Sequence, residues 1–359
     1  MSQPGFAVAG SEGEQAGGCT ATPRVSIGLP VYNGERYLAR ALASVLEQDF
    51  TDFELIICDN ASTDRTAEIC HTYAEHDPRV RYHRNTRNLG AGPNYDKCFH
   101  LARGTYFKWA AHDDCLAPGY LSKTVTAMDA APDAVLCTVG VAEIDAAERI
   151  GRTYRNHFPG INSPEPARRF AAVIHTRHEC EDFFGLFRRE ALLGSGLHGT
   201  YSGSDRVLLA EMALRGPWVS VPEPLFLHRE HAGRYTRAVL LGDRSQAALW
   251  MDTQVPTARA SRHFHLGVYR QYLRIVRKNV RPAKVWAACY AELLRWWLTD
   301  GHSPDVLRDL LRDSPRVRAV IRTVRDSLIG TVSPSQRIAA ASSTTDNGRH
   351  LHGPGTERP

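Results

Sequence analysis

Apolar and polar residues follow regular periods along the first half of the chain. Val25, Ile27 and Leu29 stand two apart, which predicts a strand. The segment GERYLARALASVLEQ follows, and its Tyr37, Leu38, Ala41, Leu42, Val45 and Leu46 fall on one helical stripe. FELIICD is a short, continuous apolar run, as expected of a parallel strand covered on both faces. The pattern continues with a helix in TDRTAEICHTYAEHD, a strand in VRYHR and a helix over residues 93–102. A strand in TYFKWAAHDD then runs into acids, followed by a helix in PGYLSKTVTAMDAA and a strand in AVLCTVGVAEID.

This βαβα order predicts an α/β fold with a parallel, doubly wound sheet flanked by helices. Ligands of such sheets bind beyond the carboxyl ends of the strands. Three polar clusters fall at those ends: Tyr32-Asn33-Gly34-Glu35, Asp59-Asn60 and His112-Asp113-Asp114.

From about Arg237 the pattern becomes helical, amphipathic and Arg-rich, predicting a C-terminal helical region over residues 237–332. Its apolar stripe either packs on the core or meets a membrane or a lipid-linked acceptor. Residues 1–23 and 333–359 are poor in large apolar side chains and read as disordered tails, leaving 24–236 as the main domain.

Composition narrows the classes. With 359 residues and 43% hydrophobic positions, the chain can bury one large core and carry an appendage. The net charge is +5 without long Lys/Arg runs, which suits phosphate handling and gives no sign of nucleic acid. Eight cysteines are scattered with no C-x-x-C pair, as small apolar residues in a reducing compartment would be. Met1 to Thr22 carries no apolar leader, and no run approaches the ~20 apolar residues of a membrane span. A cytoplasmic location is expected, with peripheral membrane contact as the open alternative.

Asp113-Asp114 is the strongest chemical signal. Adjacent carboxylates at a strand end can hold Mg²⁺ or Mn²⁺, and the ion can neutralise a diphosphate leaving group. The same pair could simply cap the helix that follows Pro118.

VSIGLPVYNGERYLARALASVLEQDFTDFELIICDNASTD, together with NLGAGPNYDKCFHLARGTYFKWAAHDDCLAPGYL, resembles the family 2 glycosyltransferases. The similarity runs from about Arg24 to Arg237. It implies the GT-A fold, in which a mixed sheet is flanked by helices, and a nucleotide-sugar donor. By that resemblance Pro30, Tyr32 and Glu35 border the nucleotide base, and Asp59 contacts base or ribose. Asp114 ligates the metal, with Asp113 beside it on ribose or metal. The chain departs from the family pattern at Ala111, where the first metal-site acid often stands, and at Asn60, the second acid of the earlier motif.

In GLFRREALLGSGLHGTYSGSDRVLLAEMALRG the resemblance puts the catalytic base at Asp205, which takes the acceptor proton in an inverting transfer. Asp205 could equally be an ordinary first-turn acid. In VPEPLFLHREHAGRYTR the resemblance implies a loop closing over the donor phosphates, with Arg229 and Arg234 as clamps and His231 as a metal ligand. Arg84 and Arg87, after a strand, are further phosphate candidates or solvated cations.

A Rossmann dehydrogenase is excluded, because Pro30-Val31-Tyr32-Asn33-Gly34 stands where G-x-G-x-x-G is needed. No P-loop signature occurs. A sugar-phosphate nucleotidyltransferase and a non-catalytic nucleotide-sugar-binding scaffold remain as alternatives. The expected partners are a nucleotide-sugar donor, a hydroxyl acceptor and a divalent cation. Donor sugar, acceptor, pathway and oligomeric state are not written in the sequence.

Overall fold

The computed structural model describes residues 22–231 and 264–299. The expected tail over 333–359, almost all of that over 1–23, the boundary at 236/237 and the last of the expected C-terminal helices lie outside these residues, as does Arg234.

The first half follows the hydrophobic pattern closely. Strands β1 (Val25–Val31), β2 (Phe53–Asp59), β3 (Val80–Arg84) and β4 (Tyr106–Trp109) alternate with helices α1 (Leu38–Leu46), α2 (Thr66–His76) and α3 (Ala91–Leu101). All four strands are parallel, in the order β3-β2-β1-β4. β1, β2 and β4 are buried along their whole length, as continuous apolar runs covered on both faces must be. Leu38, Ala41, Leu42 and Val45 of the expected α1 stripe are buried against the sheet.

Beyond β4 the sheet becomes mixed. Strand β5 (Cys115–Leu116) and helix α4 (Tyr120–Asp129) lead into β6 (Leu136–Ile144) and β7 (Ile150–Tyr154). Helix α5 (Pro166–Ile174), a single 3₁₀ turn (Glu181–Phe184), β8 (Leu186–Arg188), α6 (Arg189–Leu192), α7 (Ser204–Arg215) and β9 (Trp218–Arg229) complete the domain. The sheet order is β3-β2-β1-β4-β8-β6-β9-β5, with β7 branching from β6. The parallel sheet expected from the alternation alone is therefore corrected. β8 inserts antiparallel between β4 and β6, pairing Phe107 with Phe187 on one side and Leu136 with Phe187 on the other. The mixed sheet is the one that the family resemblance implied.

Helices α8 (Phe264–Asn279) and α9 (Ala283–Thr299) pack on α7 and α5. α8 buries Leu266, Val268, Tyr272, Ile275 and Val276, and α9 buries Cys289, Leu293 and Trp296. Among the described residues no helix is long and apolar enough to cross a membrane.

Candidate active site

Three parallel strands end together. Val31 pairs with Asp59, and Asp59 pairs with Arg84. Asp59 is fully buried, and both its oxygens are occupied. Oδ1 accepts the Ser62 N–H at 2.9 Å, Oδ2 accepts the Tyr82 hydroxyl at 2.8 Å, and Arg84 Nε lies 3.4 Å from Oδ2. Burial first, and the Asp59 carboxylate second, hold the Tyr82 phenol well above its ordinary range. Arg84 also donates to the Ser62 carbonyl at 2.8 Å. Asn60 knits this end to the next loop: its amide donates to Asn88 and Gly90 and accepts from Asn85 and the Leu89 N–H.

Pro30 lies in β1 beyond the last β1–β4 pair, Gly28–Trp109, so its missing N–H leaves no gap on that side. Tyr32 is 44% exposed on the turn that follows. Asn33 takes a left-handed φ of 51°, which asparagine tolerates, and its side chain accepts the Thr63 N–H. Glu35 accepts the Arg65 N–H at 3.0 Å, while its own N–H donates to Asp64 at 3.0 Å. The turn after β1 is thus cross-braced to the loop before α2. Gly34 lets that turn close on the acid loop, since a Cβ there would stand 2.7 Å from a ring carbon of His112.

The acids themselves lie between β4 and β5. The pairing Cys115–Leu227 brings Asp114 beside the end of β9. Asp114 is buried, and its Oδ1 accepts the Arg229 N–H at 2.8 Å and lies 3.3 Å from His228 Nδ1. Asp113 Oδ2 is 2.9 Å from His231 Nε2. Burial opposes ionisation of Asp113, but His112 and His231 outweigh it and hold the carboxyl well below the usual range.

Arg229, expected on the donor phosphates, is only 2% exposed, and its guanidinium is engaged with protein. It donates to the Asp113 carbonyl at 2.9 Å, the Asp145 carbonyl at 3.1 Å and Glu148 at 3.1 Å, and it lies 4.9 Å from the Tyr37 ring centre. It ties the acid loop to the β6–β7 turn and to the start of α1.

Asp205 enters from another quarter, in the first turn of α7, where its negative charge is favoured by the helix dipole. The loop before α7 is pressed onto α3: a Cβ on Gly92 would meet the Gly199 carbonyl at 2.2 Å, and the His198 N–H donates to Asp96 at 2.9 Å. Tyr95 on α3 lies between the two groups of acids. Burial chiefly, then the charges of Asp113 and Asp114 and, more weakly, of Asp205, keep its phenol protonated far above the ordinary range. The loop before α7 thus meets α3, and the charges of both groups of acids reach Tyr95 on that helix.

Sequence reasoning passed over Tyr95, Tyr37, and the pair Glu181-Asp182 in the 3₁₀ turn. Glu181 accepts the Tyr154 hydroxyl at 2.9 Å, and Asp182 accepts the Asn156 amide at 2.7 Å. Burial, with the Glu181 charge adding, raises the Asp182 carboxyl to about 7. Lys108 Nζ donates to the Phe184 carbonyl at 2.8 Å and so ties this turn to β4. Burial lowers its ammonium to about 7, against the pull of Asp114. The available signal was an acidic doublet interrupting the apolar run of CEDFFGLF.

Among the described residues no preassembled group of three or more His, Cys, Asp and Glu side chains stands ready for a metal. Asp113, Asp114 and His231 offer carboxylate oxygens and one imidazole. That donor set suits Mg²⁺ or Mn²⁺ when diphosphate and water supply the remaining oxygens.

A four-stranded parallel start, a mixed extension and an acid pair at the switch between them make a GT-A-type fold. Residues 26–193 match the model of glycosyl transferase family 2. It is 29% identical to the uncharacterized protein MT1568 of Mycobacterium tuberculosis, over 64% of this chain and 76% of that one. Four further curated relatives align over 27–31% of this chain and cover 14–39% of their own length. Two solved structures share the fold at 15% and 16% identity. S. aureus TarS 1-349 in complex with UDP-GlcNAc has a TM-score of 0.56 and covers 82% of this chain and 83% of that one. The mannosyltransferase PcManGT from Pyrobaculum calidifontis, in complex with GDP-Man and Mn²⁺, has a TM-score of 0.52 and covers 92% and 89%.

Proposed function

We propose that this protein is an inverting glycosyltransferase that moves a sugar from a nucleoside diphosphate sugar to an acceptor hydroxyl. The observation that carries the reading is that Asp113 and Asp114, held by His231 and the Arg229 N–H at the end of β9, lie on the loop that Gly34 lets close on the turn after β1.

In this reading the nucleoside lies at the ends of β1–β3. Tyr32 and Pro30 border the base, Asp59 fixes the strand end that receives base or ribose, and Glu35 braces the turn. Asp113 holds ribose or metal. Arg229 serves the donor by fixing the acid loop, and Arg234, outside the described residues, is assigned as the diphosphate clamp. Asp114, with Asp113 and His231, would hold a divalent cation, which when bound offsets the charge that develops on the diphosphate. Asp205 takes the acceptor proton as the acceptor oxygen bonds to the anomeric carbon. The bond from that carbon to the diphosphate oxygen breaks, and the nucleoside diphosphate leaves with its electron pair. The proton on Asp205 passes to solvent. The seven described cysteines are all free and buried, which supports work in the reducing cytoplasm. The pathway belongs to cell-envelope glycan, glycolipid or natural-product synthesis in this proposal.

The test is nucleotide release from a panel of UDP-, GDP- and TDP-sugars, with and without Mn²⁺ and Mg²⁺. The expected result is release from one donor that depends on the cation and is absent in Asp114→Ala. Full release by Asp114→Ala would remove the metal assignment. Binding of a donor without release under any acceptor tried would favour the scaffold.

A further inference from the structure

Among the described residues, helices α8 and α9 are covered on one side only. Along α9, Cys289, Leu293 and Trp296 are buried against the domain. The adjoining sector of the same helix, one hundred degrees per residue, carries Trp286, Tyr290, Leu294, Trp297 and Leu298. Leu294 and Leu298 are 57% and 64% exposed, and Trp286 is 40% exposed while stacked on Tyr290 at 4.0 Å. An apolar stripe therefore continues from the core out into solvent.

Charge borders that stripe. Residues 264–299 hold seven basic side chains (Arg270, Arg274, Arg277, Lys278, Arg281, Lys284 and Arg295) against the single acid Glu292. All seven are exposed. The whole chain has a net charge of +5, so the rest of it is slightly acidic and the positive charge is concentrated here. Arg270, Arg274, Arg277 and Arg281 stand three or four residues apart along one side of α8 and its end. Arg277 Nε donates to the Tyr290 hydroxyl at 2.9 Å, so this basic row lies directly against the aromatic stripe. The lone acid is turned inward, its carboxylate 3.0 Å from His175 Nε2.

We propose that the α8–α9 face docks on an anionic lipid bilayer. Trp and Tyr favour the headgroup boundary, exposed leucines insert below it, and Arg and Lys snorkel to lipid phosphates. A basic row beside an apolar row is the arrangement such a surface selects, since each cation near an anionic leaflet adds to what the apolar side chains gain. The exposed leucines fit acyl chains and have no stacking surface to offer a nucleic-acid base. The proposal stands apart from glycosyl transfer, because lipid binding needs no donor and no turnover.

The test is sedimentation of the full chain with vesicles of neutral phosphatidylcholine alone and with about one-third anionic phosphatidylglycerol. The expected result is binding to the anionic vesicles only, weakening as salt rises. Lys284→Glu with Arg281→Glu should weaken it by more than about tenfold, and Trp286→Ala with Leu298→Ser by a similar factor, at unchanged melting temperature. Lys123→Glu, an exposed cation on α4, should bind as the parent does. Absence of binding, or equal binding to neutral and anionic vesicles, would overturn the proposal. So would self-association of the parent that is lost in Trp286→Ala with Leu298→Ser, because the face would then belong to a second copy.

Discussion

The two halves of the sheet are built in opposite ways. In β3-β2-β1-β4 every strand is parallel; β1, β2 and β3 follow one another through α1 and α2, and α3 carries the chain back to set β4 on the other side of β1. Polar groups at their ends are already satisfied within the protein: Asp59, Asn60, Glu35 and Asp64 each accept or donate to a nearby turn. In β8-β6-β9-β5 the partners come from far apart, and Asp114 meets Arg229 across 115 residues. The first half is a rigid cradle set by local order. The second half fixes Asp113 and Asp114, the acids assigned to the proposed reaction, and their positions depend on long-range register. A β-bulge supplies that register, as β9 skips from the pair Val139–Val221 to Gly140–Pro224 before running on to His228 and Arg229.

The sharpest way to test this division is to remove a reactive acid without touching the cradle. Asp114→Asn should lower cation-dependent transfer by at least about a hundredfold while nucleoside binding persists, as kinetics with a titrated cation would show. Comparable loss of nucleoside affinity would mean that the halves are not separable. Asp205→Asn should lower transfer by about 10²–10⁴-fold with donor affinity unchanged, measured by calorimetry beside rate. A rate within a few-fold of the parent would remove Asp205 as base.

Smaller effects should follow for the residues that hold the halves in place. Arg229→Met breaks a buried, multiply bonded guanidinium and should cost on the order of 3 kcal/mol in denaturant unfolding, with transfer falling because the acid loop loosens. Asn60→Ala leaves the Leu89 N–H without its acceptor and the Asn85 amide with Asn94 alone, and should cost about 2 kcal/mol with a wild-type response to added cation.

The mildest prediction concerns pH. The Asp182 carboxyl lies at about 7 in the folded chain, above its ordinary 3.8. The folded state therefore holds more protons between these values. The resulting stability is fully present below the ordinary value and is lost as pH rises through 7. Asp182→Asn should flatten that part of the melting-temperature profile. An unchanged slope would assign it to other groups.

Hydrophobic period alone located β1 to β4, α1 to α4 and β6, because each is a local pattern of side chains and its burial follows from the period. The same reading placed three polar clusters at strand ends, and the structure brings two of them, Tyr32–Glu35 and His112–Asp114, into contact through Gly34 and His112. The chain's order also made the family legible. Three things were left to tertiary structure. Two- and three-residue strands such as β5 and β8 are too short to show a period, so the switch to a mixed sheet was hidden. Arg229 looked like a phosphate ligand, because a sequence shows a charge but not whether protein carbonyls have already claimed it. Tyr95 looked like an ordinary helix residue, and only the approach of α7 to α3 and of the acid loop to both gives it three acids as neighbours. Sequence determines what is local, since dihedral preference and burial period act over a few residues. Which distant groups share a pocket is decided by packing, where close approach, register and desolvation act together.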